Sequence, residues 1–285
     1  MRRFLTRPQS GRPDFSQGRK AADLTPHEAA QRPALLLTIR PMRIPRVHVD
    51  QPLGPGREVL LPEQSGEHIA RVLRLERGHP LILFNGDGCE YKATLASLAK
   101  RAVTAEVTAV QAIERESPLH LTLAQGIARG EKMDWILQKA TELGVVRIVP
   151  IVTERTEVKL DEERAERRVL HWTQVIAGAC EQSGRTRLPQ LDMPQRLDRW
   201  LSTLESDAAL RLALIPGGDV GARDLPPMPH GALVCVGPEG GFSDKDVAML
   251  QQSQFRALRL GPRILRTETA GIAALAALQA LQGDL

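Results

Sequence analysis

The chain has 285 residues and a formal net charge of +4, with 42% hydrophobic and 25% charged residues, an ordinary globular balance in a chain long enough for two cores. No apolar run approaches the roughly 18 residues needed to cross a bilayer as a helix. Cys89, Cys180 and Cys235 are odd in number, far apart and form no CxxC, which argues against a disulfide framework or a zinc site and for a reducing, cytoplasmic setting.

Residues 1–41 are rich in Arg, Pro and polar residues and carry a charge of +5, leaving −1 on the remainder. They are expected to be a disordered leader, a transit-peptide-like segment, or upstream sequence before a start at Met42. The body is near neutral, so RNA binding there needs local patches rather than bulk charge.

From Met42 to about residue 115 the signals are β. Val59–Leu61, Leu81–Phe84, Tyr91–Leu98 and Ala102–Val110 read as strands, with Asn85-Gly-Asp-Gly as a hairpin turn. A helix over Gly66–Leu75 is expected to put Ile69, Val72 and Leu73 on one side and Arg71 and Arg74 on the other. With Arg43, Arg46 and Arg77 these arginines are candidates for a phosphate-gripping patch, a solvated surface being the alternative. Phe84 and Tyr91 are the only large aromatic residues there, which gives little for base stacking. A small β-barrel is expected.

From Pro118 strands and helices alternate. Leu119–Leu123, Val145–Val152, Leu210–Ile215 and Ala232–Val236 read as strands, the last two apolar enough for a parallel sheet buried on both faces. Glu131–Leu143 and Asp161–Gln182 read as amphipathic helices, and Ser243 as the N-cap of a helix over Asp244–Gln252. Phe255–Leu260 is a further strand. The helix Ala270–Leu281 is apolar on nearly every face and should be buried, in the monomer core or at a subunit interface.

Two strand-to-helix loops stand out. Gly237-Pro-Glu-Gly-Gly-Phe-Ser follows one strand, and Leu260-Gly-Pro-Arg-Ile-Leu-Arg-Thr-Glu-Thr-Ala follows another. Open parallel sheets bind ligands at such loops, and neither segment is a standard dinucleotide or phosphate motif. For Arg263, Arg266 and Glu268 the plain alternative is a solvated, salt-bridged loop. The seven histidines show no metal-ligand spacing and no GxSxG elbow is present, so no metal and no serine nucleophile are expected.

These two loops resemble the cofactor site of the SPOUT RNA methyltransferases. Met42-Arg-Ile-Pro-Arg, His68-Ile-Ala-Arg-Val-Leu-Arg, Gly130-Glu-Lys-Met-Asp, Gln138-Lys-Ala-Thr-Glu-Leu-Gly-Val, Glu154-Arg, Lys159 and Ala179-Cys-Glu-Gln-Ser-Gly-Arg resemble the branch that methylates uracil N3 in 16S rRNA. The resemblance runs from Met42 to about Leu281. It implies a PUA-like β-barrel over 42–115, and an α/β SPOUT domain with a trefoil knot over 116–285. It also implies a homodimer, S-adenosylmethionine as cofactor and the 16S rRNA of the small subunit as partner.

The implied cofactor residues are Ile215, Pro216 and Gly217; Gly237, Pro238, Gly240 and Gly241; and Leu260, Gly261, Ile264, Leu265 and Arg266. Pro262 has no N–H, so any contact the family makes through that amide is lost here. Uracil N3 must lose a proton, so Arg266 is the candidate to stabilise the anion and Glu268 to orient that arginine or accept the proton. Alternatives are 2′-O or other base methylation, or a non-catalytic RNA-binding assembly factor.

Overall fold

The computed structural model describes residues 44–99, 102–158, 161–205 and 209–285. The expected leader, Arg43 and Lys159 lie outside the described residues.

The first sheet comprises β1 (Arg46–His48), β2 (Glu58–Leu60), β3 (Pro80–Phe84), β4 (Cys89–Ala99) and β5 (Ala102–Ala112), in the order β1-β3-β4-β5-β2. Asn85–Gly88 makes the antiparallel β3–β4 turn, with Gly86 and Gly88 at φ of 94° and 91°. The edge strands β1 and β2 are not paired with each other, so the expected barrel is open along that seam among the described residues. Val47, Val59, Leu81, Leu83, Leu95 and Val107 fill its interior.

The helix expected over 66–75 is displaced. α1 (Glu63–Glu67) begins after Pro62, whose fixed φ suits a helix start, and runs into a π-helical turn over His68–Val72. Arg74, at φ 53°, lies beyond it. The wider π turn rotates the apolar stripe out of register. Ile69 is buried, whereas Val72 and Leu73 are 66% and 41% exposed. Arg71 and Arg74 therefore do not share a helical face.

The second sheet is parallel throughout. Its order is β11 (Val220–Gly221), β13 (Arg256–Arg259), β10 (Leu210–Leu214), β12 (Ala232–Val236), β6 (Leu121–Gly126), β7 (Arg147–Val152) and β8 (Gln190–Leu191), with β9 (Gln195–Arg196) also beside β7. On one face Leu121, Leu123 and Val236 pack with Met133, Trp172 and Leu275 of α2 (Glu131–Glu142), α3 (Glu162–Ser183) and α6 (Thr267–Gln282). On the other, Ala124, Val149 and Cys235 pack with Trp200 and Leu250 of α4 (Leu197–Ser202) and α5 (Asp244–Gln252). Buried on both sides, the strands need continuous apolar runs, and their sequences supply them. Ser243 caps α5 in a reciprocal capping box with Asp246.

α6 departs from expectation. It starts three residues early, at Thr267, and buries only one stripe, with Gly271, Ala274, Leu275 and Leu278 against β6, β12 and α2. Ile272, Ala273, Ala276 and Ala277 are half-buried and Leu281 is exposed.

The sheets meet at the carboxyl end of α3. Arg46, placed at the sequence level in a surface phosphate patch, is instead 8% exposed and paired with Glu90. Its guanidinium donates to the carbonyls of Gly184 and Arg185 at 3.2 and 3.0 Å and lies 5.0 Å from the Phe84 ring centre. Arg115 donates to Glu90 at 2.6 Å and to Gly184 O at 2.7 Å. Two cations thus neutralise the negative end of α3. The His48 amide adds a hydrogen bond to Glu181 Oε1 at 3.0 Å.

Candidate active site

The loops after β10 and β13 enclose a cavity of about 110 Å³ lined by Leu214–Gly217, Leu258–Leu265 and Ala270. Ile215, Pro216, Gly217, Leu260, Gly261, Ile264 and Leu265 are thereby brought together. Gly261 takes φ 79°, a backbone that glycine adopts at little cost. Among the described residues, the N–H groups of Gly261, Arg263, Ile264 and Leu265 have no backbone acceptor. An apolar slot edged by free amides fits the adenine and polar arm of a nucleoside cofactor. Because typical ligand pockets are roughly 300–1,000 Å³, the enclosed part holds only a portion of it, and the open mouth takes the rest.

Gly237, Pro238, Gly240 and Gly241 do not line this cavity; they join it through α6. Thr267 Oγ1 donates to Gly237 O at 2.5 Å and accepts from Gln125 Nε2 at 3.0 Å. Gln125 also donates to Gly126 O at 2.9 Å. Gly126 itself passes so close to the loop that an added Cβ would sit 2.4 Å from Pro238 N. Sequence reasoning missed Gln125, although a glutamine at the end of the strand Leu121-Thr-Leu-Ala, just before Gly126, was a visible signal.

Glu239 accepts from the Arg129 amide at 3.1 Å and from Lys132 Nζ at 3.3 Å. Burial acts to raise its pKa, but these donors outweigh that and hold it below the ordinary carboxylate value. Lys132 also pairs with Glu268 Oε2 at 3.9 Å. That oxygen is buried and accepts no hydrogen bond, and the same holds for Gln125 Oε1. Arg266 is exposed at the N-cap of α6 and makes no hydrogen bond to Glu268; the cation beside Glu268 is Lys132, a residue to which the sequence assigned no role.

The other arginines expected in the phosphate patch, Arg71, Arg74 and Arg77, are exposed. Arg71 pairs with Glu67 one turn away, and Arg74 and Arg77 are exposed near Glu76. Tyr91 and Phe84 are buried, so neither offers a stacking face.

This parallel sheet, with its ligand loops at the strand ends, is that of an RNA methyltransferase. Residues 115–279 match the RNA methyltransferase domain family and residues 61–108 the RNA methyltransferase PUA domain family. The chain is 31% identical to ribosomal RNA small subunit methyltransferase E of Buchnera aphidicola, over 85% of this chain and 98% of that protein. It is 33% identical to the Bacillus subtilis enzyme of the same name, over 76% and 89%. A putative methyltransferase of Legionella pneumophila, solved with bound SAM, superposes with a TM-score of 0.82 at 41% identity, over 86% of this chain and all of that one. The SAM-bound small subunit methyltransferase E of Neisseria gonorrhoeae gives 0.77 at 37%, over 85% and 99%. The chain belongs to the ribosomal RNA small subunit methyltransferase E family.

Proposed function

We propose that this protein transfers the methyl group of S-adenosylmethionine to N3 of a specific uridine in 16S ribosomal RNA, on the small ribosomal subunit. Residues 42–115 bind RNA and residues 116–285 bind cofactor and carry out the reaction. The observation that carries the reading is the loop after β13, an apolar slot with unengaged amides at the strand ends of a parallel sheet. Bound there, the cofactor supplies an already activated methyl group, so the chain's task is positioning and proton management.

Leu260, Gly261, Ile264 and Leu265 hold the cofactor from one side, and Ile215, Pro216 and Gly217 from the other. Thr267 fixes the Gly237 loop relative to them. Arg266, exposed beside the cavity, faces the uracil and stabilises the charge that develops as its N3 proton leaves. Glu268 accepts that proton, its buried oxygen lying beside the Lys132 ammonium.

The protein works in the cytoplasm as a homodimer joined through the half-buried apolar side of α6, which a second copy would cover. β13 lies beyond β10, yet α6 returns to β12, β6 and α2; this path supports a knotted passage of the carboxyl-terminal segment.

The test is transfer of labelled methyl groups to small subunits lacking the modification, followed by mass spectrometry of the digested nucleosides. 3-Methyluridine is expected; a 2′-O-methyl or other methylated base refutes the assignment to N3, and no incorporation with RNA binding intact refutes the enzyme. Arg266→Ala should lower the single-turnover rate far more than cofactor affinity. An unchanged rate removes it from the mechanism.

A further inference from the structure

The segment Leu260–Pro262 is a wall between two cavities. One is the cofactor slot. The other, of about 490 Å³, lies between the same wall, Arg259 and the turn Gly221–Asp224. Arg223 and Arg259 both line it and both are exposed. Among the described residues neither makes a hydrogen bond or ion pair.

Among the described residues Arg46, Arg71, Arg115, Arg147, Arg185 and Arg196 meet carboxylates, whereas exposed arginines such as Arg57 and Arg77 do not; Arg223 and Arg259 differ from the latter in lining one cavity together. At this cavity the cations outnumber the acids. Asp224 is the one carboxylate in the lining, against Arg223 and Arg259, while Asp219 lies in the preceding loop and exposed Arg263 follows the wall in sequence, lining the cofactor cavity. Two unengaged guanidinium forks match the oxygens of a phosphate. No aromatic side chain lines the cavity, so it offers nothing for a base to stack on. The volume falls in the range that accommodates a nucleotide-sized group, roughly 300–1,000 Å³.

We propose that this second cavity is the subsite for the RNA backbone next to the target nucleotide. Arg223 and Arg259 hold a flanking phosphate while the target base crosses the Leu260–Pro262 wall towards the methyl donor. This rests on the reading of the protein as an rRNA methyltransferase and moves the principal phosphate grip from the first sheet to the rim of the cofactor loop.

The experiment is filter binding of small subunits lacking the modification to the full-length protein, at saturating S-adenosylmethionine, across a potassium chloride series. Arg223→Ala and Arg259→Ala should each weaken binding about tenfold and reduce the slope of log K against log salt by about one. Arg223→Lys should keep the slope and Arg223→Gln should lose it, which separates charge from folding. Cofactor affinity of Arg223→Ala, measured by calorimetry, should stay at the wild-type value. Wild-type RNA affinity and slope in the Arg223→Ala/Arg259→Ala double variant overturn the subsite. If the unaltered protein transfers no methyl group but its RNA binding depends on Arg223, the enzymatic reading fails and the subsite stands. If it methylates RNA and the variants bind normally, the reverse holds.

Discussion

Replacing Gly126 with Ala adds one methyl group where β6 meets the Gly237 loop. That carbon would sit 2.4 Å from Pro238 N, 2.6 Å from Pro238 Cδ and 2.7 Å from Gly237 C, against the 3.4 Å at which ordinary contact begins. The neighbours are backbone and a closed ring, so no side chain can swing away. The loop must retreat by about 1 Å, a displacement that can cost on the order of 100-fold in rate when it misplaces a reacting partner. Overpacking of this kind also destabilises by about 1–3 kcal/mol. Urea denaturation, cofactor calorimetry and methyl-transfer rates together test this. Gly178 provides the control: it is an exposed helical glycine on α3, and a Cβ added there would meet nothing within 4 Å. The same chemical change there should stabilise the fold by up to about 1 kcal/mol. A Gly126→Ala protein with wild-type stability and cofactor affinity would show that the tight approach has no energetic weight.

Arg46→Ala should cost about 3 kcal/mol in urea denaturation, at the low end for a broken buried pair because Arg115 still serves Glu90. Ser243→Ala removes the hydroxyl half of the α5 capping box and should lower stability by about 1 kcal/mol. The Glu239 carboxyl is held below its ordinary value of 4.5, so its ionised form contributes stability above that pH, lost as the pH falls through the lower folded value. The stability difference between wild type and Glu239→Gln should therefore be largest above pH 5 and shrink in stronger acid. Burial pushes the Cys180 thiol up to about 12 and raises Cys235 as well; both should resist a thiol reagent at neutral pH in the folded protein and react on denaturation.

Much of the α/β part was legible because its signals are local. Apolar runs such as Ala232–Val236 mark strands buried on both faces, and Ser243 before Asp244 marks a helix start whatever surrounds it. The loop after β13 stood out for a related reason, since Arg263, Arg266, Thr267, Glu268 and Thr269 interrupt two apolar stretches of the chain, although the last three open α6. What failed depended on distance. Arg46 meets Glu90 and the end of α3, 44 and 138 residues away, and nothing in its own neighbourhood distinguishes it from a surface arginine. β1 has three residues and exists because β3 lies beside it. The helix after Pro62 was misplaced because a π turn breaks the 3.6-residue spacing on which the expected stripe was drawn. Lys132 was passed over because it reads as an ordinary polar position on α2, and Glu239 and Glu268 reach it only after folding.

α3 has a consequence for how the first sheet is held relative to the cofactor loops. It begins just after the segment whose Arg155 donates to Gly240 O, and ends under the cations of Arg46 and Arg115. Its 22 residues span roughly 33 Å at 1.5 Å per residue. The helix therefore acts as a strut between the Gly240 loop and the first sheet, and the interval it keeps is set by the number of its residues rather than by a hinge.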